Sequence, residues 1–346
     1  MSLLKSLQFV WNQEFRKFTN SGEAVRIRHA DSIFDCDLYP EKGKFLGCIL
    51  FVHGMSIHGR KDVRIANLAS ALSASGYRVI VPEFDDIAKL QVHRGQPEQI
   101  ANACRALCYD RQLCRNTNPG VMAPSFSASL VLKASTAPDL ANHLAALCLI
   151  GGYAEIDSTL EYLLSNPEAD EYGRLVVIYN YIEQVLGEQK ALREALRQSI
   201  IYNASRKDAD LDVLNQSIAT LDDLMSVQYD RIMNDPAWRM ELKDQILVSP
   251  ETQKDLAAIN VMPVLDQVHI PVSLIHGRFD NVISADQSIL LHKKLQSLGR
   301  QSRLCITELI SHGDTGSVLS MVPDAWALIQ NFAWFFDQIK RRNQIL

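Results

Sequence analysis

The sequence predicts an α/β fold: a mostly parallel central sheet flanked by helices, interrupted by an inserted all-helical segment. Three observations carry this expectation. Short apolar or alternating runs recur with helix-period segments between them, which is the pattern of a sheet with crossover connections. Between about residues 155 and 262 that rhythm stops and only helical patterns occur. Afterwards two more strand-like runs restore it.

The first runs, AVRIRHA, SIFDCDLY and GCILFVHG, lie between about residues 24 and 54 and are separated by turn-forming stretches such as PEKGK. They predict the opening antiparallel strands. DVRIANLASALSASG is helix-compatible, YRVIVPEF is a buried strand, and PEQIANACRALCYDRQL is again a helix pattern. VMAPSF then leads into a helix near residues 128–136, and LAALCLIGG follows as a strand. The long segment contains RLVVIYNYIEQVLG, QKALREALRQSIIYNA and LDVLNQSIATLDDLMSVQYDRIM, all of helical period. PVSLIHG and SRLCITEL are the last strands, with SADQSILLHKKLQSLG between them and DAWALIQNFAWFFDQIK after them as helices. The expected division is a core of residues 1–154 and 263–346, with residues 155–262 inserted as a cap.

With 346 residues, 47% hydrophobic and 22% charged, the chain can bury a full core and has no disorder signature. Its net charge of −5 gives no general basic footprint for nucleic acid. Residues 155–262 hold 20 acidic and 10 basic residues, against 20 and 25 elsewhere, so the insertion carries −10 and the remainder +5. Screening over about 8 Å makes solvated helix faces the expected use of these charges. Seven cysteines, an odd count without paired metal or redox spacing, predict a reducing, cytoplasmic setting. Charged and amide residues interrupt the N-terminal segment, so no membrane span is expected there. Leu4, Leu7, Trp11, Phe15 and Phe18 recur at helical spacing, with packing on the protein's own body the expected role.

Three residues, Ser127, Asp280 and His312, each follow a predicted strand and occur in that chain order. A serine hydroxyl needs a neighbouring base to become nucleophilic, and an imidazole base needs a carboxylate to hold its tautomer and stabilise its charged form. Ser125 and Ser129 are the rivals of Ser127. A serine-rich helix start also suits ordinary capping. His53, His58, His93 and His276 rival His312, and Asp286 and Asp314 rival Asp280.

Four local sequences, FVHGM, PSFSASL, IHGRFDNVI and SHGDTG, resemble landmarks of the α/β-hydrolase superfamily, in particular its serine esterases and lipases. The resemblance covers most of residues 24–340 and implies the order Ser, Asp, His for the triad, with the insertion in the usual place of a cap. It implies that the backbone N–H groups of Met55 and Ala128 receive the oxyanion. The segment Ser125-Phe126-Ser127-Ala128-Ser129 departs from the superfamily's G-x-S-x-G elbow by carrying serine at both flanking positions around Ser127. Hydrolysis of a carboxylic ester or thioester through an acyl-enzyme is the activity implied, on a small-molecule substrate. The apolar helix RLVVIYNYIEQVL suggests an apolar acyl or alkyl group. A catalytically silent fold used for binding, and a hydrolase of amide or carbon–carbon bonds, are the alternatives. No cofactor is expected, since neither G-x-G-x-x-G nor a phosphate-binding G-x-x-x-x-G-K-[ST] loop occurs. Asp85 and Asp86 are expected as solvated turn residues rather than as metal ligands.

Overall fold

Strands β1 (Glu23–His29), β2 (Ser32–Tyr39), β3 (Gly47–Phe51), β4 (Tyr77–Pro82), β5 (Gly120–Pro124), β6 (Leu147–Ile150), β7 (Val272–Gly277) and β8 (Ser302–Thr307) form one sheet. In this computed structural model, which describes residues 2–15, 22–204, 210–310 and 322–344, the strand order is β1-β2-β4-β3-β5-β6-β7-β8. β1 and β2 are antiparallel to their neighbours and the other pairings are parallel. All eight strands occur where the sequence predicts them, but β3, expected among the opening antiparallel strands, pairs parallel with both β4 and β5.

The helices are α1 (Ser2–Phe15), α2 (Val63–Ala74), α3 (Asp85–Ala88), α4 (Gln96–Tyr109), α5 (Phe126–Ala134), α6 (Ile156–Ser165), α7 (Glu171–Leu186), α8 (Lys190–Ala204), α9 (Leu211–Ala219), α10 (Asp223–Asn234), α11 (Pro236–Val248), α12 (Pro250–Ile259), α13 (Ala285–Ser297) and α14 (Val322–Gln344). Every residue of β3 is buried, as a parallel strand covered on both faces requires. Strand alternation divides its side chains between two cores. Ile49 and Phe51 pack with Phe335, Phe336 and Leu72 on one face. Leu50 and Val52 pack with Ile100, Leu107 and Leu130 on the other.

Helix α1 packs on the body, and Leu4 and Leu7 of the stripe its sequence suggests stay outside that contact. Phe9 is buried against Phe332 in an edge-to-face contact at 4.8 Å, with Ser6 and Asn12 also buried, whereas Leu4 is 71% exposed. Leu7 is exposed as well, and Phe18 lies outside the described residues. Among the described residues no helix is long and apolar enough to cross a membrane.

Among the described residues seven α-helices, α6 to α12, separate β6 from β7. The run LDVLNQSIATLDDLMSVQYDRIM, continuous in its sequence pattern, breaks into α9 and α10 because the Asp222 carboxylate caps the second helix by accepting from the Met225 N–H at 2.8 Å. The apolar face of α7, including Leu175, Ile178 and Ile182, is buried in the same cluster as Leu50, Val121 and Leu130. That face is spent on packing.

Candidate active site at the carboxyl end of the sheet

β5 ends at Pro124 and α5 begins at Phe126, leaving Ser125 alone to turn the chain from strand into helix. Its backbone has φ +57° and ψ −139°, a conformation that an L-residue adopts at a cost of about 1–3 kcal/mol. Contacts on both sides hold it there. The Ser125 N–H donates to the Ile150 carbonyl at 2.6 Å, and its carbonyl accepts the Ala128 N–H at 2.9 Å. The Ser125 side chain lies at the partly accessible tip of this turn.

The neighbouring serines have other work. Ser127 is fully buried in the first turn of α5, and its hydroxyl donates to the His53 carbonyl at 2.7 Å. The Ser129 hydroxyl donates to the Tyr153 carbonyl at 2.7 Å and accepts the Tyr153 N–H at 2.8 Å. The sequence expectation placed the nucleophile at Ser127 and an oxyanion donor at Ala128. In the structure the Ser127 hydroxyl and the Ala128 N–H are each committed to a backbone carbonyl.

After β3 the chain runs through His53, Gly54 and Met55 beside this turn; Pro124 would lie 3.4 Å from a Cβ added at Gly54. Three consecutive carbonyls of this loop accept hydrogen bonds. His53 O accepts from Ser127 Oγ, Gly54 O from His53 Nδ1 at 2.9 Å, and Met55 O from the Tyr172 hydroxyl at 2.5 Å. The His53 ring is itself fixed, because the Phe84 N–H donates to Nε2 at 3.0 Å. Glu83 stands 3.3 Å from the same nitrogen, but the Phe84 N–H occupies its lone pair, so the neutral form with hydrogen on Nδ1 fits the geometry. His53 therefore shapes the loop.

Asp280 sits in the turn leaving β7 and is buried. Its Oδ1 accepts the N–H groups of Val282 and Ile283, each at 2.9 Å, which fixes the orientation of the carboxylate. His276 lies behind it, with Nε2 3.5 Å from Asp280 and 2.7 Å from the Ile283 carbonyl, and Nδ1 2.7 Å from Ser288 Oγ. Both of its nitrogens serve the fold. His93 pairs with Asp86 at 2.9 Å, while Asp85 and His58 are exposed. Asp286 is exposed in the first turn of α13. His312 and Asp314 lie outside the described residues.

Sequence reasoning missed Tyr172. It stands in the first turn of α7, and nothing in its local pattern separates it from the other tyrosines of that helix. Beyond Met55 the loop enters the wall of a cavity of about 430 Å³ bounded by Ile57, Arg60, Glu83, Asp85, Lys89 and, from α8, Arg197. This lining is polar and mixed in charge. Among the described residues no group of three or more His, Cys, Asp or Glu is arranged to hold a metal ion.

No protein-family model and no curated protein matches the sequence. Solved structures do match in fold. A 2,6-dihydroxy-pseudo-oxynicotine hydrolase superposes with a TM-score of 0.51 at 13% identity, over 92% of this chain and 68% of that one. An esterase of Pyrococcus furiosus gives 0.50 at 12% identity, over 94% and 91%. An acylaminoacyl peptidase of Pyrococcus horikoshii gives 0.50 at 15% identity over 95% of this chain, which spans 43% of the peptidase's length. Strand order, crossover connections and these superpositions agree: the chain has the α/β-hydrolase fold.

Proposed function

We propose that the protein is a serine hydrolase acting on a carboxylic ester or thioester, with Ser125 as nucleophile, His312 as base and Asp280 as orienting acid. The observation that carries the reading is the positive φ of Ser125 at the β5–α5 junction. A strained strand-to-helix turn is how this fold presents a nucleophilic hydroxyl. The flanking small residues are then Ala123 and Ser127, and the oxyanion donors are the N–H groups of Met55 and Phe126. Phe126 replaces Ala128 because, as the first helical residue, its N–H has no carbonyl one turn earlier in the helix to bond.

His312 removes the Ser125 proton as Oγ attacks the substrate carbonyl carbon. The two N–H groups receive the resulting oxyanion. Collapse expels the alcohol or thiol, which takes the proton from His312. Water, deprotonated by His312, then attacks the acyl-enzyme, and the acid leaves as Ser125 recovers its proton. The seven free cysteines suit the reducing cytoplasm we propose for it.

A fluorophosphonate label and a panel of ester, thioester and amide substrates test the assignment. Wild type and Ser127→Ala should react with the label and Ser125→Ala should not. Loss of labelling in Ser127→Ala with full retention in Ser125→Ala would return the nucleophile to Ser127. Preferred amide turnover would move the substrate class to amides. A folded wild type that neither labels nor turns over any substrate would leave a silent binding fold.

A further inference from the structure

We propose that Tyr172 is a positioning residue that sets the oxyanion donor Met55, and that through it the first turn of α7 controls the competence of the site. This rests on the serine-hydrolase reading above. The peptide that carries the Met55 N–H is held on one side by the His53 Nδ1 bond to the Gly54 carbonyl. On the other side the Met55 carbonyl accepts the Tyr172 hydroxyl, so both torsions of Met55 are constrained. Burial raises the phenol well above its ordinary pKa and keeps it a donor at neutral pH.

The same helical turn also grips the loop of the acid. The Asp170 N–H donates to the Asn281 carbonyl at 2.8 Å. Asp170 then caps α7 by accepting the Tyr172 N–H at 2.9 Å. Gly173 lies so close to Val282 that an added Cβ would come within 2.9 Å of its Cγ1. Val282 is one of the two residues whose N–H groups hold the Asp280 carboxylate. One turn of an inserted helix thus ties the oxyanion loop to the acid loop, and a shift of α7 would disturb both.

Tyr172→Phe removes the hydroxyl and keeps the ring. On a short ester the expected result is a kcat lowered about tenfold with KM unchanged, the scale of one net hydrogen bond acting in the transition state. An alkyl boronic acid, which forms a tetrahedral adduct on Ser125 Oγ, should lose affinity by a similar factor, while the product carboxylate should bind as before. The ratio of these two affinities is independent of any unfolded fraction, since both ligands count only folded protein. An unchanged ratio would overturn the role of Tyr172. Ser125→Ala run beside it separates the two claims: full esterase activity there removes Ser125 as the nucleophile on which this proposal rests, whereas an inactive Ser125→Ala with an unchanged Tyr172→Phe ratio removes only the positioning role.

Discussion

Asp62 adds a fourth tie to the oxyanion loop and gives it a pH dependence. Its carboxylate caps α2 by accepting the Arg64 N–H at 2.9 Å, pairs with the Arg64 guanidinium at 2.8 Å, and accepts the Ser56 hydroxyl at 2.8 Å. Burial alone would raise its pKa; the guanidinium and these hydrogen bonds outweigh it and bring the group down to about 2. A folded pKa below the unfolded value of about 3.9 contributes stability that is complete above about pH 5 and is lost as pH falls through about 2. The contribution is about 2 kcal/mol. Urea unfolding of wild type and Asp62→Asn should therefore converge by that amount between pH 5 and pH 2; parallel curves would exclude it. At this scale the sequence was least legible. In Ser125-Phe126-Ser127-Ala128-Ser129 the residue types are nearly symmetric about Ser127; the backbone torsion of Ser125 sets it apart, and the Ser127 and Ser129 hydroxyls donate to the carbonyls of His53 and Tyr153. The place of Asp280 in the turn after β7 was legible, because only a position after a strand was needed. Ser127→Ala leaves the His53 carbonyl without its donor, so we expect a rate loss of up to about tenfold with labelling retained.

Among the elements, α6 and α10 end on buried arginines rather than on glycine caps. Arg239, 2% exposed, donates to the carbonyls of Leu164, Ile232 and Met233, and Arg174 to those of Leu163, Asn166 and Ala169. Most of these oxygens belong to the last turns of α6 and α10, where carbonyls lack helical partners and the helix dipole is negative. Burial lowers the pKa of both arginines. Even so, each guanidinium remains the charged fork that this geometry needs. Arg239→Met keeps the length and removes the donors, leaving three buried carbonyls to be satisfied otherwise. We expect a loss of about 3 kcal/mol in urea unfolding, with Arg239→Lys restoring only part of it. A Met variant as stable as wild type would refute the capping role. Helical period located the inserted helices well, but the break at Asp222 and these ends depend on side-chain contacts that periodicity does not encode.

For the whole molecule, chain order suggests a core with a separate cap at residues 155–262, whereas packing argues for one cooperative body. Ile178, Ile182, Leu196 and Ile259 of the inserted helices share a buried cluster with Leu50, Val121 and Leu130 beneath the sheet. Polar ties cross the same boundary: Asn180 accepts the Val92 N–H at 2.8 Å, and the Tyr153 hydroxyl donates to the Ile259 carbonyl at 2.9 Å. Removing the insertion would expose that face to water at roughly 25 cal/mol for each Å² of apolar surface, so neither part is expected to keep its structure when the other unfolds. Of the four tryptophans, Trp11, Trp238, Trp326 and Trp334, only Trp238 lies in the insertion, where its side chain packs against the shared cluster. A Trp11→Phe, Trp326→Phe, Trp334→Phe variant makes fluorescence report on the inserted helices alone, while far-UV circular dichroism reports on the whole chain. Their urea midpoints should coincide in a single transition. An earlier fluorescence midpoint would mean that the insertion unfolds first, and the shared cluster would then not be what joins it to the sheet.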